Sequence, residues 1–159
     1  MDAITLLKQQ HDEVEEAFEK FEGARGRKRS IFEKIADDLA VHAAIEEKHF
    51  YPASKSRETE PLLRESVEEH LSVKRLIADA MACEPGDPQF DAKVAVLKEQ
   101  VLEHAREEEK ELFPKVKKLL SRDELAQLGE TMEEMAEELK SGGSPRNQVP
   151  SETGAPAPI

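Results

Sequence analysis

Two segments of the chain carry the same pattern of side chains that can ligate a metal. Residues 42–52 read HAAIEEKHFYP and residues 104–114 read HAREEEKELFP, so they align without a gap as H-A-x-x-E-E-K-x-[FL]-[YF]-P. Residues four apart in an α-helix lie one turn along the same face, about 40° apart. Each segment therefore predicts a histidine beside a glutamate, His42 with Glu46 and His104 with Glu108.

A single histidine precedes each of these segments at a similar distance, His11 before the first and His70 before the second. The order His…HxxxE thus occurs twice, which predicts two helix hairpins related by a pseudo-twofold axis. Both motifs lie on the apolar stripe of their helix, so their polar side chains point towards the core. Buried carboxylates and imidazoles are costly unless they are partnered. Convergence of these six side chains is most simply explained by bound metal.

The donor set indicates which metal. Nitrogen and oxygen donors without thiolate suit iron or manganese better than zinc, and the only cysteine, Cys83, excludes a cysteine-based zinc site and an internal disulfide. Two carboxylates that each bridge two ions favour a dinuclear centre in a helix bundle. Six protein donors leave coordination positions open for a small molecule. The alternative is a purely structural bundle, which requires that the histidines do not converge.

The elements that position these residues are helices. Aromatic residues make up only 4% of the 159 residues and charged residues 36%, a composition that favours an all-α fold. Apolar periodicity predicts four long helices, which short loops join into an up-down-up-down four-helix bundle. They cover about residues 2–21, 30 onwards (with Ser30 as N-cap), 60–81 and 90–120. Ser121 and Glu124 predict a capping box for a short fifth helix.

Composition divides the chain near residue 140. Residues 1–140 carry the helical pattern and form one predicted domain, whereas residues 141–159 are rich in proline, glycine and serine and predict a disordered tail. The net charge of −12 disfavours nucleic acid and anionic membranes as partners. The sequence contains no apolar run that predicts a signal peptide or a membrane span, so we expect a cytoplasmic protein.

The chain resembles the haemerythrin-like family, the haemerythrin HHE cation-binding domain, over about residues 1–120. The resemblance rests on His11, on the two HxxxE motifs, on His70, and on the Phe-Tyr-Pro and Leu-Phe-Pro that close the motifs. It implies a four-helix bundle with two non-haem iron ions bridged by the two glutamates and an oxo or hydroxo group. The implied metal ligands are His11, His42, Glu46, His70, His104 and Glu108.

The chain departs from the oxygen-carrying haemerythrins at two positions. Lys74 stands where they have a second histidine in the third helix, and Glu108 lies four residues after His104 where they have an aspartate at five. One ligand is therefore missing, which puts reversible oxygen carriage in doubt. The resemblance is to the bacterial stand-alone type, and it implies O2, NO or H2O2 as the small ligand.

Two functional hypotheses follow. The first is a di-iron protein for iron handling or for gas binding and sensing. The second is a di-iron enzyme that degrades peroxide or oxidises ferrous iron. The sequence identifies no protein partner.

Several neighbouring residues carry secondary expectations. Glu47 and Glu109 lie 100° from the motif glutamates and are expected to face outward. Asp38 and Gln100, each four residues before a motif histidine, are either orienting acceptors for the imidazoles or solvated. His49 is an extra ligand, a proton relay or, as the favoured reading, part of a hydrogen bond with Glu111 at the end of the bundle. Glu15 could supply the missing ligand, but we expect it at the flank, paired with Lys74. Pro52 and Pro114 predict a kink or a helix end.

Overall fold

The computed structural model describes all 159 residues and contains helices and no β-strands. The ordered elements, in chain order, are α1 (Ala3–Gly23), α2 (Lys28–Ile45, continued by a π-helical turn at Glu46–Phe50 and by Tyr51–Ala53), α3 (Glu60–Met81), α4 (Pro88–Glu107, continued by a π-helical turn at Glu108–Leu112 and by Phe113–Leu119), α5 (Arg122–Ser141) and a 3-10 helix (Pro145–Glu152). None of the helices is long and apolar enough to span a membrane.

Capping side chains mark the starts of three of the five helices. Asp2, Asp87 and Ser121 accept backbone hydrogen bonds at the starts of α1, α4 and α5, and Ser121 and Glu124 form the expected capping box. The second helix differs from the sequence expectation, because α2 begins at Lys28 after Arg27, whose φ is +59°. Ser30 therefore lies inside α2 and is not its N-cap.

The four long helices form a ring around the core. Helix α1 packs against α2 and α4, and α3 packs against the same two helices. Two apolar clusters fill the interior, one containing Leu7 and Phe113 and the other containing Val14 and Leu97. His11 lies on α1 between Leu7 and Val14 and is buried. A layer of buried polar side chains therefore separates two apolar cores.

Each HxxxE motif ends in a π-helical turn. The backbone N–H of Tyr51 donates to the carbonyl of Glu46, and that of Phe113 donates to the carbonyl of Glu108, in both cases five residues back. Pro52 and Pro114 follow directly and have no N–H to continue α-helical bonding. The wider turn accommodates each proline without ending the helix, so the expected kinks take this form.

The C-terminal residues are ordered, which corrects the expectation of a disordered tail. The 3-10 helix packs against α2 and α3, and Val149 is buried in the second apolar cluster. The backbone N–H of Arg146 and its guanidinium donate to the two oxygens of Asp37, each at 2.9 Å. The guanidinium of Arg75 donates to the carbonyl of Thr153 at 3.0 Å. Composition alone missed this segment because a few specific contacts, and no apolar periodicity, hold it in place.

Candidate metal centre

The polar layer contains all six side chains that the sequence singles out. His11 comes from α1, His70 from α3, and each HxxxE pair from the last turns of α2 or α4. Glu46 and Glu108 are 0% and 3% exposed, and the four imidazoles are almost fully buried. The pseudo-twofold arrangement of the two hairpins thus brings the repeated residues together at one level of the bundle.

The six side chains divide into two half-sites that share their carboxylates. We call His11 with His42 the first half-site and His70 with His104 the second. Donor atoms within 4.8 Å of one another form two groups, and both groups contain Glu46. The first group is His11, His42, Glu46 and Glu108, and the second is Glu46, His70 and His104.

Each carboxylate reaches both half-sites. Oε1 of Glu46 lies 3.2 Å from Nε2 of His42 and 3.2 Å from Nε2 of His70. The two oxygens of Glu108 divide between the half-sites, with Oε1 3.2 Å from Nε2 of His11 and Oε2 3.4 Å from Nε2 of His104. A carboxylate placed between two pairs of imidazoles has the position that a bridging ligand needs.

All four imidazoles are held through Nδ1, which leaves Nε2 facing the centre. Nδ1 of His11 lies 2.8 Å from Oε2 of Glu109, and Nδ1 of His70 lies 2.7 Å from Oε2 of Glu47. In the other pair, Nδ1 of His42 lies 2.6 Å from Oε1 of Gln10, and Nδ1 of His104 lies 2.7 Å from Oε1 of Glu69. Because these oxygens accept, Nδ1 carries the proton and Nε2 presents a lone pair.

These orienting residues correct the sequence expectation. Glu47 and Glu109 do not face outward, because each reaches across the bundle to the histidine of the other hairpin. Asp38 accepts from Lys34 at 2.7 Å, and Gln100 accepts from Ser72 at 2.7 Å, so neither contacts an imidazole.

The repeat itself contains the signal that was missed. The residue before each isolated histidine, Gln10 or Glu69, holds the motif histidine of the same hairpin. The residue after each motif glutamate, Glu47 or Glu109, holds the isolated histidine of the other hairpin.

The donor atoms face one another without satisfying one another. Nε2 of His11 and His42, both oxygens of Glu46 and Oε1 of Glu108 are buried and make no hydrogen bond. Lone pairs of imidazoles then point at lone pairs of carboxylates, an arrangement that requires a cation or protons between them. The donor set therefore fits metal ions without rearrangement of the fold.

Protons compete for the same positions. Burial alone would lower the pKa of His11 and His104, but Glu108 and Glu46 outweigh it and raise both, that of His104 well above its usual value. Burial also lowers the pKa of His70, but hydrogen bonds to Glu46 and Glu47 raise it by more, so the pKa of His70 is raised overall. Conversely, His104 and His11 hold the pKa of Glu108 well below its usual range despite burial. The metal-free centre therefore attracts positive charge strongly.

One residue at the centre has a hydroxyl where its counterpart has none. Tyr51 donates to Oε2 of Glu108 at 2.6 Å, and its oxygen lies 3.2 Å from Nε2 of His70. Its repeat counterpart, Phe113, stacks on His11 with the ring planes 2° apart. Burial, followed by Glu108 and Glu46, raises the pKa of Tyr51 well above its usual value, so the phenol stays protonated. A regular α-helix would place Tyr51 about 140° from Glu46 around the helix axis, so the spacing in the sequence does not indicate that its hydroxyl reaches the centre.

The other candidates near the centre lie outside it. Lys74 is buried and pairs with Glu47 at 2.9 Å and with Glu152 of the 3-10 helix at 3.1 Å. Glu15 is exposed and belongs to neither group of donor atoms, and His49 is absent from both groups as well. The position where the oxygen carriers have an extra histidine therefore holds a lysine committed to an ion pair.

A cavity of about 60 Å³ adjoins the centre on the side of the second apolar cluster. Imidazoles of both half-sites line one end, and apolar side chains such as Val14, Leu39 and Val101 line its length. Val149 and Glu152 of the C-terminal segment border it as well. The cavity gives a small molecule room beside the donor atoms, along a wall whose exposed surface is mainly apolar.

Comparison with known proteins agrees with this site. The family model described as the hemerythrin HHE cation binding domain matches residues 2–116. A crystal structure of a hemerythrin HHE cation binding domain-containing protein from Mycobacterium kansasii matches with a TM-score of 0.78 at 22% identity, covering 96% of this chain and 94% of that chain. That likeness shows the fold. A DNA nickase from a Nostoc species is 29% identical over 129 residues, which are 80% of this chain and 37% of the nickase. The chain therefore spans less than half the length of that relative.

Proposed function

Because the chain belongs to the hemerythrin HHE cation-binding family, we propose that it binds two non-haem iron ions and presents them to a small molecule, O2, NO or H2O2. The observation that carries the proposal is the set of four imidazoles, each fixed through Nδ1 and each directing Nε2 at a carboxylate that reaches both half-sites. His11 and His42 would hold one ion and His70 and His104 the other. Glu46 and Glu108 would bridge them.

The choice of iron follows from the donors. Imidazole and carboxylate without thiolate suit iron and manganese, and the family resemblance favours iron. When bound, a pair of iron ions supplies redox chemistry and open positions for a diatomic molecule or peroxide. The protein supplies the remainder: fixed ligand geometry, a cavity beside the donor atoms, and buried carboxylates that would neutralise part of the charge of the ions.

A second candidate function, peroxide breakdown, is favoured by Tyr51. Its hydroxyl holds a proton at the second half-site, hydrogen-bonded to Glu108 and next to His70 and His104. Proton delivery to an oxygen atom that leaves a peroxide bond is the role such a hydroxyl can take. A pure carrier or store of iron has no need of a proton donor at this position.

Metal analysis and spectroscopy of the full-length protein test the first proposal. We expect two iron ions per chain after iron-supplemented growth, with near-ultraviolet absorption from oxygen and imidazole ligands to iron. We also expect this absorption to change on addition of NO. A chain that takes up a single zinc ion, or that binds no metal, would contradict the proposal.

Peroxide turnover separates the two functions. If the centre is an enzyme, the iron-loaded protein releases O2 from H2O2, and Tyr51→Phe slows this release while two iron ions remain bound. Because general acids contribute roughly 10²–10⁴-fold, the expected loss is about 100-fold. Phe18→Leu, a change of equal hydrophobic character in the distant apolar cluster, is the control. A wild-type protein that binds NO but leaves H2O2 intact would favour gas binding.

A further inference from the structure

The seams between the four long helices are closed to different extents at the level of the metal centre. Helix α5 packs across α1 and α2, including the π-helical turn of α2. The 3-10 helix packs across α2 and α3. Between α3 and α4, by contrast, a small cavity extends inward from the surface and is lined by His104 and Glu108 of the centre. This seam, which we call the α3–α4 seam, also carries Glu65, Glu69 and Glu107.

The internal repeat shows what the same position looks like when it is closed. The repeat aligns α3 with α1 through His70 and His11, so Glu65 and Ser66 correspond to Leu6 and Leu7. Leu6 and Leu7 are apolar and buried, in the cluster that also contains Leu125 and Met132 of α5. The same alignment of α4 with α2 makes Glu107 the counterpart of Ile45, which is fully buried. The two hairpins therefore contain the same ligand residues but differ in the side chains that lie between those ligands and the surface.

Charge changes with depth along the α3–α4 seam. Glu65 and Glu107 are exposed at the rim, and Glu69 is half-buried behind them. Glu65, Glu69 and Glu107 line the same small cavity, so the acidic groups lie close together. At the inner end, Glu108 is 3% exposed, and its Oε2 lies 3.4 Å from Nε2 of His104. A cation that enters at the rim would meet carboxylates at each depth.

The larger cavity beside the centre differs in character. Most of its exposed wall is apolar, and its charged lining is mixed, because the carboxylates of Glu13, Asp38 and Glu152 accompany the ammonium groups of Lys74 and Lys140. The apolar stretches suit a neutral molecule, whereas a divalent cation that crosses them pays a high cost of desolvation. A buried metal site still requires a path by which the metal arrives.

We propose that divalent metal ions reach the centre through the α3–α4 seam, with Glu65 and Glu107 capturing the hydrated ion and Glu69 passing it to His104 and Glu108. This inference rests on the proposed function, since it assumes that the six side chains bind metal. According to this proposal, the seam determines how fast metal is taken up, whereas the six ligands determine how many ions bind. Carboxylates that line a narrow opening raise the local concentration of cations and the association rate.

Stopped-flow loading of the metal-free, full-length protein with Co²⁺ tests the route, because the absorption of the bound ion reports uptake directly. We expect the double variant Glu65→Gln/Glu107→Gln to take up Co²⁺ about five- to tenfold more slowly than wild type, within the range of electrostatic steering. The number of ions bound at the end should be unchanged. Added salt should slow the wild type more than the variant.

The matched control is Glu134→Gln/Glu138→Gln, which removes the same charge from exposed positions of α5. It should load at the wild-type rate. Circular dichroism of both double variants checks their helical content. Equal rates for wild type and the seam variant, or equal slowing in seam and control variants, would overturn the route while leaving the centre intact. A wild-type end point other than two ions would overturn the proposed centre, and the route with it.

Discussion

The two half-sites of the centre are equal in their ligands and unequal in what touches those ligands. Each has two imidazoles, and both Glu46 and Glu108 approach an imidazole of each half-site. Around the first half-site, Gln10 holds His42 through a neutral amide, and Phe113 stacks on His11. The second half-site is more polar, since a carboxylate takes the place of that amide and a tyrosine takes the place of the phenylalanine.

The charged surroundings of the second half-site form a connected network. Glu69 holds His104, and Tyr51 donates to Glu108. Glu47 holds His70 and also pairs with the ammonium of Lys74, and that contact with two cationic partners keeps its pKa low despite burial. The duplicated residues form the common set of donor atoms, whereas the unduplicated ones make the two half-sites different. Reactivity should therefore concentrate at the second half-site.

We expect the largest effect on metal binding from substitutions of the two carboxylates that the half-sites share. Glu46→Ala and Glu108→Ala should reduce metal binding from two ions to one or none, since each carboxylate serves both ions and offsets the repulsion between them. Single alanine variants of the four histidines should typically lose one ion. Metal per chain, with helical content checked by circular dichroism, measures the series.

The controls for this series follow from the structure. Glu47 and Glu109 are unsuitable because each holds an imidazole. Glu111 lies in the same π-helical turn as Glu108 but is exposed, so Glu111→Ala should keep both ions. If Glu111→Ala lost as much metal as Glu108→Ala, the assignment of the bridging carboxylates would be wrong.

The internal repeat explains which features of the two half-sites could be predicted from the sequence. Spacing of four places His42 and Glu46 on one helical face whatever the neighbouring helices do, so convergence of the duplicated residues was predictable. Glu47 was misplaced because its orientation depends on the distance to α3, which a helical wheel does not contain. Tyr51 was missed because the π-helical turn shifts the register after Glu46. The ordered tail was missed because Arg146 finds its partner, Asp37, 109 residues away.

Removal of the metal should have the next largest effect. Metal ions that bind only the folded state add about 4 kcal/mol to the free energy of unfolding when free metal exceeds the dissociation constant a thousandfold. We expect the metal-free protein to melt at a clearly lower temperature at neutral pH, because its buried carboxylates and imidazoles then lack a partner. Equal melting temperatures for the two forms would argue against a buried dinuclear centre.

The pH dependence of the metal-free protein sharpens this test. The pKa values of His11, His70 and His104 are raised above 6.5, so their contribution to stability is fully present below 6.5 and is lost as the pH rises through the folded-state values. The pKa of Glu108 is lowered from 4.5, so its contribution is present above 4.5 and is lost as the pH falls. Stability of the metal-free form should therefore be highest between these two values.

We expect the difference in melting temperature between the metal-loaded and the metal-free protein to widen as the pH rises. Above 6.5 the metal-free protein loses the stabilising protons on its histidines, whereas metal ions replace those protons in the loaded protein. Thermal melts of both forms at mildly acidic and mildly alkaline pH should thus diverge on the alkaline side. Parallel melting curves across this range would mean that the histidines do not titrate at the centre.

A smaller effect should distinguish the two crossing carboxylates. Loss of a group that orients a metal-bound histidine typically weakens metal affinity about 10- to 100-fold. Glu109→Gln keeps an oxygen that can accept from His11, so its effect should lie at the low end of this range. Glu47→Gln also removes the carboxylate that pairs with buried Lys74, so its effect should be larger. Titration with a competing chelator measures both, and equal affinities would remove the distinction between the half-sites.

The smallest effect isolates the hydroxyl of the second half-site. Tyr51 donates to Glu108 of the other hairpin, and the symmetry-related contact would join Phe113 to Glu46, where no donor exists. A double-mutant cycle of Tyr51→Phe with Glu108→Gln should give a coupling energy of about 1.5 kcal/mol, the lower end for a hydrogen bond to a charged group. The matched cycle, Phe113→Leu with Glu46→Gln, should give a coupling near zero. Urea unfolding of the metal-free variants provides the four free energies for each cycle. Similar coupling in both cycles would show that packing around the carboxylates, and not the Tyr51 hydroxyl, distinguishes the second half-site from the first.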